Sequence, residues 1–216
     1  MRKWGAPLPK HTKLDYYECY AKIVLSHLYN KNYESIIIRD RPDLQFFDES
    51  RGIEVTQAID PEQQKAEKLY TDIHYGLVHS KEGAIQEILK CGCKYEDGIL
   101  IGKPGIDSFE FIMKALKIKL EKINKGGYVY FYHYDLFVFS DIYADDMMLN
   151  DALLSMLMLS KEYKLFFEKV FVLVPGSLYI FKLLSEQFHV INYSNELQYE
   201  MACQAREMVE AAMKEE

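Results

Sequence analysis

The sequence has no long hydrophobic run and little proline or glycine, since its 216 residues include only 6 Pro and 11 Gly. No stretch approaches the 18 consecutive apolar residues that predict a transmembrane helix. Residues 1–10 lack the apolar segment of a secretion signal, so we expect a cytoplasmic protein with no membrane partner. No linker, repeat or low-complexity tract interrupts the chain, which predicts one continuous domain over residues 1–216.

Cysteine spacings typical of zinc or redox sites are also lacking. The four cysteines are Cys19, Cys91, Cys93 and Cys203. The Cys91-x-Cys93 pair matches neither a zinc knuckle nor a Cys-x-x-Cys redox motif. We therefore expect reduced thiols with a structural role, because cysteine is among the most frequently buried residue types.

An excess of positive charge is absent as well, because 26 Lys and Arg face 33 Asp and Glu, for a net charge of −7. This argues against a protein that coats DNA in general. The acidity is uneven, however: residues 1–127 contain 20 Lys and Arg against 19 Asp and Glu, and residues 128–216 contain 6 against 14. The first part of the chain could therefore accept a phosphate backbone. Its densest basic stretch, which a solvated helix face explains equally well, contains Lys114, Lys117, Lys119, Lys122 and Lys125.

The order of apolar patterns predicts the fold class. Helical periodicity indicates helices over 11–30, from Pro61 past Tyr70, and over 107–125, 147–167 and 196–214. Short β-branched or aromatic runs predict strands over 35–38, 44–47, 52–59, 128–139 and 169–174. The rings of 128–139 could stack on bases, but a buried strand is the favoured interpretation. This order predicts an α/β fold, a three-layer sandwich with a central mixed β-sheet.

Two acids stand on neighbouring strands of this predicted sheet. Asp43 precedes one strand and Glu54 lies inside the next. An antiparallel pair would set the two side chains across from each other, close enough to share Mg²⁺ or Mn²⁺. If Glu54 is buried in its apolar run, it needs a partner, a proton or a metal. An edge strand with Glu54 facing water fits the periodicity equally well.

These residues resemble a known family. Pro42-Asp43, ten intervening residues and Glu54-Val55-Thr56, after a helix bearing Glu18, resemble the PD-(D/E)xK nuclease-like superfamily of restriction-endonuclease-like fold. The resemblance covers about residues 15–68 by motif. It implies that Glu18, Asp43 and Glu54 bind Mg²⁺ or Mn²⁺, and that Thr56 stands where the family has a lysine that assists the attacking water. Lys65 or Lys68 on the following helix would then supply the missing ammonium group.

The resemblance implies a metal-dependent nuclease that hydrolyses phosphodiester bonds, with DNA or RNA as its partner. Thr56 favours a second interpretation, because threonine cannot stabilise developing negative charge as an ammonium group does. In that interpretation the chain is a catalytically degenerate nuclease-fold protein that acts as a binding or assembly module. A third is a protein-interaction domain whose acidic carboxy-terminal half binds a partner or forms a homodimer.

Overall fold

The computed structural model of the protein describes residues 6–105, 107–127 and 130–214, and these divide into two compact units. One unit comprises Ile59–Gly105 with the described residues before Lys13. The other comprises Lys13–Ala58 with the described residues from Asp107 onward. The single nuclease-like domain over residues 1–216 stays a prediction, and both strands next to its acids belong to the second unit. Across the described residues, no helix has the length and apolar character needed to cross a membrane.

The second unit is built on a mixed sheet of seven strands. In chain order the strands of the protein are β1 (Ile37–Ile38), β2 (Leu44–Gln45), β3 (Arg51–Gln57), β4 (Lys94–Glu96), β5 (Ile99–Ile101), β6 (His133–Phe139), β7 (Lys169–Val174), β8 (Ser177–Lys182) and β9 (Gln187–Asn192). The order across the sheet is β1-β2-β3-β6-β7-β8-β9. Strands β1 to β3 form the predicted antiparallel meander, β3, β6 and β7 are parallel, and β8 and β9 are antiparallel.

Five of the six helices within the described residues were predicted in this order, and the third, over Lys81–Lys90, was not. The helices are α1 (Tyr16–Val24), α2 (Pro61–His74), α3 (Lys81–Lys90), α4 (Glu110–Asn124), α5 (Asp146–Ser160) and α6 (Asn195–Ala212). Helix α1 begins at Asp15, whose carboxylate accepts the N–H groups of Tyr17 and Glu18, as a good N-cap does. Helix α2 begins, as predicted, at the N-cap Asp60 with Pro61 in its first turn.

Helices cover both faces of the sheet. Helices α4 and α5 pack on one face, and α1 lies on the other, where the rings of Tyr17 and Tyr20 contact Phe139. Helix α6 packs against α1. This is the predicted α/β arrangement of helix, mixed sheet and helix layers. The core between the sheet and α4 and α5 includes Leu116, Leu120, Leu136, Val138, Leu153, Met156, Val170 and Val172.

The structure differs from the prediction in two ways: strands β4, β5, β8 and β9 were not predicted, and two predicted elements are shorter than expected. Strand β7 ends at Val174 as predicted, but Pro175-Gly176 then forms a tight turn in which Gly176 adopts a φ of +77° and Val174 pairs with Ser177. The chain therefore continues into β8 and β9. The helix expected over 147–167 ends at Ser160, and the strand expected over 128–139 begins only at His133. Residues 128 and 129 lie outside the described residues.

The first unit has a small core of its own. Helices α2 and α3 pack together beside the β4–β5 hairpin, with Ala66, Ile88, Cys91 and Cys93 buried between them. All four cysteines of the chain are free, and Cys19, Cys91 and Cys93 are buried. The expectation of structural thiols fits these positions.

Candidate functional site

Asp43 and Glu54 come together as the antiparallel pairing predicts. Leu44 pairs with Ile53 in the β2–β3 register, so the next pair along the two strands is Asp43 with Glu54. Glu54 is fully buried, and its strand lies between β2 and β6. The interpretation of Glu54 as a water-facing acid on an edge strand is therefore wrong. A carboxylate in this position needs a compensating group.

Backbone contacts hold the Asp43 carboxylate against β3. Strand β2 has only two residues, so it cannot pair with the whole length of β3. Beyond the end of β2, Oδ2 of Asp43 accepts a hydrogen bond from the N–H of Val55 at 2.6 Å. The buried amide of Gln45 donates to the carbonyls of Pro42 at 2.9 Å and Asp40 at 3.2 Å. Gln45 thus fixes the turn that carries Asp43.

The compensating group comes from helix α4. Nζ of Lys119 lies 2.5 Å from Oε2 of Glu54 and 3.5 Å from Oδ2 of Asp43. Nζ of Lys122, one turn further along the helix, lies 3.3 Å from the same Glu54 oxygen. Charge-assisted contacts of this kind are the strong ones in a partly buried site. The structure therefore brings two lysines to the two predicted acids.

Glu18 joins these residues on the wall of a cavity of about 210 Å³. Burial, aided by the nearby charges of Asp43 and Asp15, raises the pKa of Glu18 to about 8, although Lys119 opposes the shift. Burial and then the charge of Glu54 also raise the pKa of Asp43, against Lys119 and the Val55 N–H. Negative charge is thus crowded here, which favours a cation in the cavity. Its lining residues are Asp15, Tyr17, Glu18, Asp43, Val55, Thr56, Gln57 and Lys119.

The remaining predicted site residues fall in different places. Thr56 lines the cavity, two residues after Glu54 and on the same side of β3. Lys65 and Lys68 belong to α2 in the first unit, where both are exposed. Nζ of Lys65 pairs there with Oε2 of Glu87 at 3.2 Å. The ammonium groups seen at the acids are those of Lys119 and Lys122.

The donor set suits a hard divalent cation, although the site is not a preformed cluster. No three His, Cys, Asp or Glu side chains within the described residues are already arranged around a metal position. Oε1 of Glu54 is nevertheless buried with no hydrogen-bond partner among those residues. Carboxylate oxygens are the ligands that Mg²⁺ and Mn²⁺ prefer. Asp43 and Glu54 therefore fit such an ion in donor type, with Lys119 as its competitor.

Three residues that contribute to the site, Lys119, Lys122 and Gln45, were not singled out from the sequence. Lys119 and Lys122 were read only as part of a basic helix face, and Gln45 as an ordinary strand residue. The available signal was the spacing of three residues between the two lysines, which puts them on adjacent turns of one helix side. Which lysines of α4 face the sheet depends on how the helix packs, which sequence spacing alone does not determine.

Comparison of the chain with models of known families, with curated proteins and with solved structures gives no match. Function therefore has to be inferred from the residues of this chain and their geometry.

Proposed function

We propose that the second unit has the restriction-endonuclease-like fold and acts as a metal-dependent nuclease that hydrolyses phosphodiester bonds in DNA or RNA. The observation that carries the proposal is the contact of Lys119 with both Asp43 and Glu54. A carboxylate pair on adjacent strands with an ammonium group beside it is the set that the PD-(D/E)xK resemblance implies. Here the ammonium group comes from α4, and Thr56 lines the same cavity as Lys119.

The element order supports the same proposal. Helix α1 is followed by the antiparallel strands β1 to β3, and α4 then leads into β6, which pairs with β3 in parallel. Glu54 lies on β3, an interior strand of the sheet, and Asp43 lies just before the neighbouring strand β2. Their surroundings are therefore rigid, which favours precise placement of a reacting group.

Each side chain has a role that follows from its contacts. Asp43 and Glu54 would hold Mg²⁺ or Mn²⁺, with Glu18 as a third oxygen donor. When bound, the ion would neutralise phosphate charge and lower the pKa of the attacking water. Lys119 would donate from Nζ to a phosphate oxygen and offset the negative charge that develops there. Glu18 holds its proton at neutral pH and releases it more readily when positive charge enters the cavity.

Cleavage of labelled single-stranded and plasmid substrates with Mn²⁺, with Mg²⁺ and with EDTA tests the proposal. We expect cleavage that EDTA abolishes. The substitutions Asp43→Asn and Glu54→Gln should each lower the rate at least a hundredfold, because each removes a charged donor at nearly constant volume. The matched control is Asp151→Asn, which changes an exposed aspartate on α5 in the same way.

Circular dichroism of each variant separates lost chemistry from lost folding. Wild-type protein that cleaves no better than folded Asp43→Asn would remove the nuclease proposal. The nuclease proposal would also be removed if Asp43→Asn, Glu54→Gln and the control Asp151→Asn all lost activity to the same degree.

A second candidate is a catalytically degenerate nuclease-fold protein that acts as a binding or assembly module. The specific observation in its favour is that Lys119 already neutralises both carboxylates, so the acids have a structural reason to be present. Isothermal titration with Mn²⁺ distinguishes the two. If the site is degenerate, the wild-type protein binds Mn²⁺ no better than Glu54→Gln does. If the site is active, Glu54→Gln loses most of the wild-type affinity for Mn²⁺.

A further inference from the structure

Two tyrosines just before β6 have solvent-exposed side chains. The side chains of Tyr130 and Tyr132 are 65% and 72% exposed, and their ring centroids lie 5.9 Å apart at an angle of 76°. Their neighbours Phe131 and Tyr134 are buried, and the hydroxyl of Tyr134 accepts the Phe131 N–H at 3.2 Å. The two exposed rings are thus carried by an anchored segment. Exposed aromatic rings on a fixed backbone are the feature on which bases of unpaired strands stack.

The position of this pair relative to the acids follows from the sheet register. Glu54 of β3 pairs with Leu136 of β6, and Arg51 pairs with His133. His133, the first residue of β6, precedes Leu136 by three residues, which corresponds to about 10 Å along the strand, and Tyr132 lies one residue beyond His133. The interval from the start of β6 to Leu136 is therefore about three stacked nucleotides at roughly 3.4 Å each. One short strand of nucleic acid could therefore reach both places.

Positive charge extends from the acids toward the same end of the sheet. Helix α4 continues from Lys119 and Lys122 to its C-cap Lys125, about 9 Å along the helix axis. Asn124 exchanges two hydrogen bonds with the backbone of Leu165, just ahead of β7, so α4 ends where β6 and β7 begin. Lys122 is 44% exposed and Lys125 is exposed. Phosphates beside the tyrosines would meet these ammonium groups.

Other exposed rings lack this setting. Tyr143 is 75% exposed but follows the far end of β6, where Asp141, Asp145 and Asp146 are its sequence neighbours. Phe47 is 84% exposed and precedes Asp48 and Glu49. Carboxylates repel phosphates, so neither ring suits a nucleic acid. Of these exposed rings, the Tyr130–Tyr132 pair is the one at the end of the sheet toward which α4 carries Lys122 and Lys125.

We infer that Tyr130 and Tyr132 form a stacking platform for the unpaired bases of a single-stranded nucleic acid whose phosphates contact Lys122 and Lys125. The inference rests on the proposed function and specifies its substrate class, because a strand held there extends toward Asp43 and Glu54. Stacking is tolerant of base identity, since every base presents a ring face. The platform therefore selects single strands over duplexes rather than one sequence over another.

Fluorescence anisotropy tests this inference without any cleavage. Labelled oligothymidine and oligouridine of about 12 nucleotides, and a blunt duplex of equal length, are titrated in EDTA with wild-type protein. The double variant Tyr130→Leu/Tyr132→Leu should bind both single strands at least tenfold more weakly, with little change for the duplex. Tyr130→Phe/Tyr132→Phe should bind as wild type does, because the ring faces are kept. Tyr143→Leu is the matched control for loss of an exposed tyrosine.

The outcomes separate this inference from the nuclease proposal. Single-strand affinity that is unchanged in the folded Tyr130→Leu/Tyr132→Leu variant overturns the platform, whether or not the protein cleaves. An equal loss for single strands and duplex also overturns it, as does an equal loss in Tyr143→Leu. Selective loss in the double variant supports the platform even if Mn²⁺ brings about no cleavage, a result that counts against the nuclease proposal alone.

Discussion

The ammonium group of Lys119 bridges carboxylates from two parts of the sheet, at 2.5 Å from Oε2 of Glu54 and 3.5 Å from Oδ2 of Asp43. Glu54 is fully buried, whereas the side chains of Lys119 and Asp43 are each 13% exposed. One lysine thus compensates the buried charge and also marks where a cation can bind. Stability and metal binding at this site are therefore expected to be linked.

Lys119→Met should destabilise the protein by about 3 kcal/mol, because among the described residues it leaves Lys122 as the remaining cationic partner of the buried Glu54 carboxylate. Lys117→Met, which changes an exposed lysine on the same helix, should alter the free energy of unfolding by no more than about 0.5 kcal/mol. Urea denaturation in EDTA measures both values. Equal effects of the two substitutions would contradict a compensating role for Lys119.

Mn²⁺ should stabilise Lys119→Met more than it stabilises the wild-type protein. The ion no longer competes with an ammonium group, and binding to the folded state alone adds about 2.7 kcal/mol at a concentration of one hundred times Kd. Thermal unfolding with increasing Mn²⁺ measures the gain. The double variant Glu54→Gln/Lys119→Met should gain little, because an essential donor is missing. A gain of the same size in the double variant would indicate that Mn²⁺ binds elsewhere.

The central strands and the acid pair could be predicted because they depend on local pattern. The apolar run of β3 and the short turn between β2 and β3 are sufficient to set Asp43 across from Glu54. The meander and the mixed sheet follow from the order of the elements. What the sequence does not specify is the rotation of α4 about its axis, which determines that Lys119 rather than Lys117 reaches the acids.

The exposed tyrosines illustrate a second limit. The aromatic run over 128–139 was predicted to be one buried strand, and its part in β6 is largely buried. The two rings ahead of His133 are exposed because the segment lies outside the paired part of the sheet. Composition cannot distinguish these two parts, since both are rich in aromatic residues.

Glu18→Gln should stabilise the protein by an amount that grows with pH. Folded Glu18 keeps its proton up to a pKa of about 8, whereas the unfolded carboxyl ionises near 4.5. Between these values the folded state binds more protons than the unfolded state, so the free energy of unfolding of the wild type falls as pH rises. Glutamine has no such titration. Because Glu18 is only partly buried, we expect a difference of about 1 to 2 kcal/mol at pH 8 and almost none at pH 4.5.

Urea denaturation in EDTA at pH 4.5, 6.5 and 8 measures this difference. Glu162→Gln, which changes an exposed glutamate of the same unit, is the control and should show no trend with pH. A difference between Glu18→Gln and wild type that stays constant over the range would show that Glu18 is ionised in the folded protein at neutral pH.

Asp135→Asn should destabilise the fold without changing the affinity for Mn²⁺. Asp135 is fully buried, and its Oδ1 accepts from Arg51 at 2.6 Å and from the Lys169 N–H at 3.1 Å. Loss of this charge leaves the partly buried guanidinium group of Arg51 with the longer contact to Glu168, at 3.4 Å, which we expect to cost about 3 kcal/mol. Asp135 points to the opposite face of the sheet from Leu136, the partner of Glu54. Urea denaturation and Mn²⁺ titration test the two parts, and a large loss of Mn²⁺ affinity would contradict the separation.

Gly52→Ala should disturb the acid pair through Pro42. A Cβ atom at position 52 would lie 2.4 Å from Cγ of Pro42 and 3.1 Å from the ring of Phe131, so one of the two rings has to move. Overpacking of this kind costs about 1 to 3 kcal/mol. Pro42 directly precedes Asp43, and the carbonyl of Pro42 accepts a hydrogen bond from Gln45. Displacement of Pro42 should therefore move the Asp43 carboxylate away from the Val55 N–H.

Gly83→Ala, where a Cβ meets nothing closer than 3.4 Å, is the control and should be neutral or slightly stabilising. We expect Gly52→Ala, but not Gly83→Ala, to lower both the free energy of unfolding and the affinity for Mn²⁺. Loss of stability with full Mn²⁺ affinity would show that Asp43 keeps its place independently of Pro42.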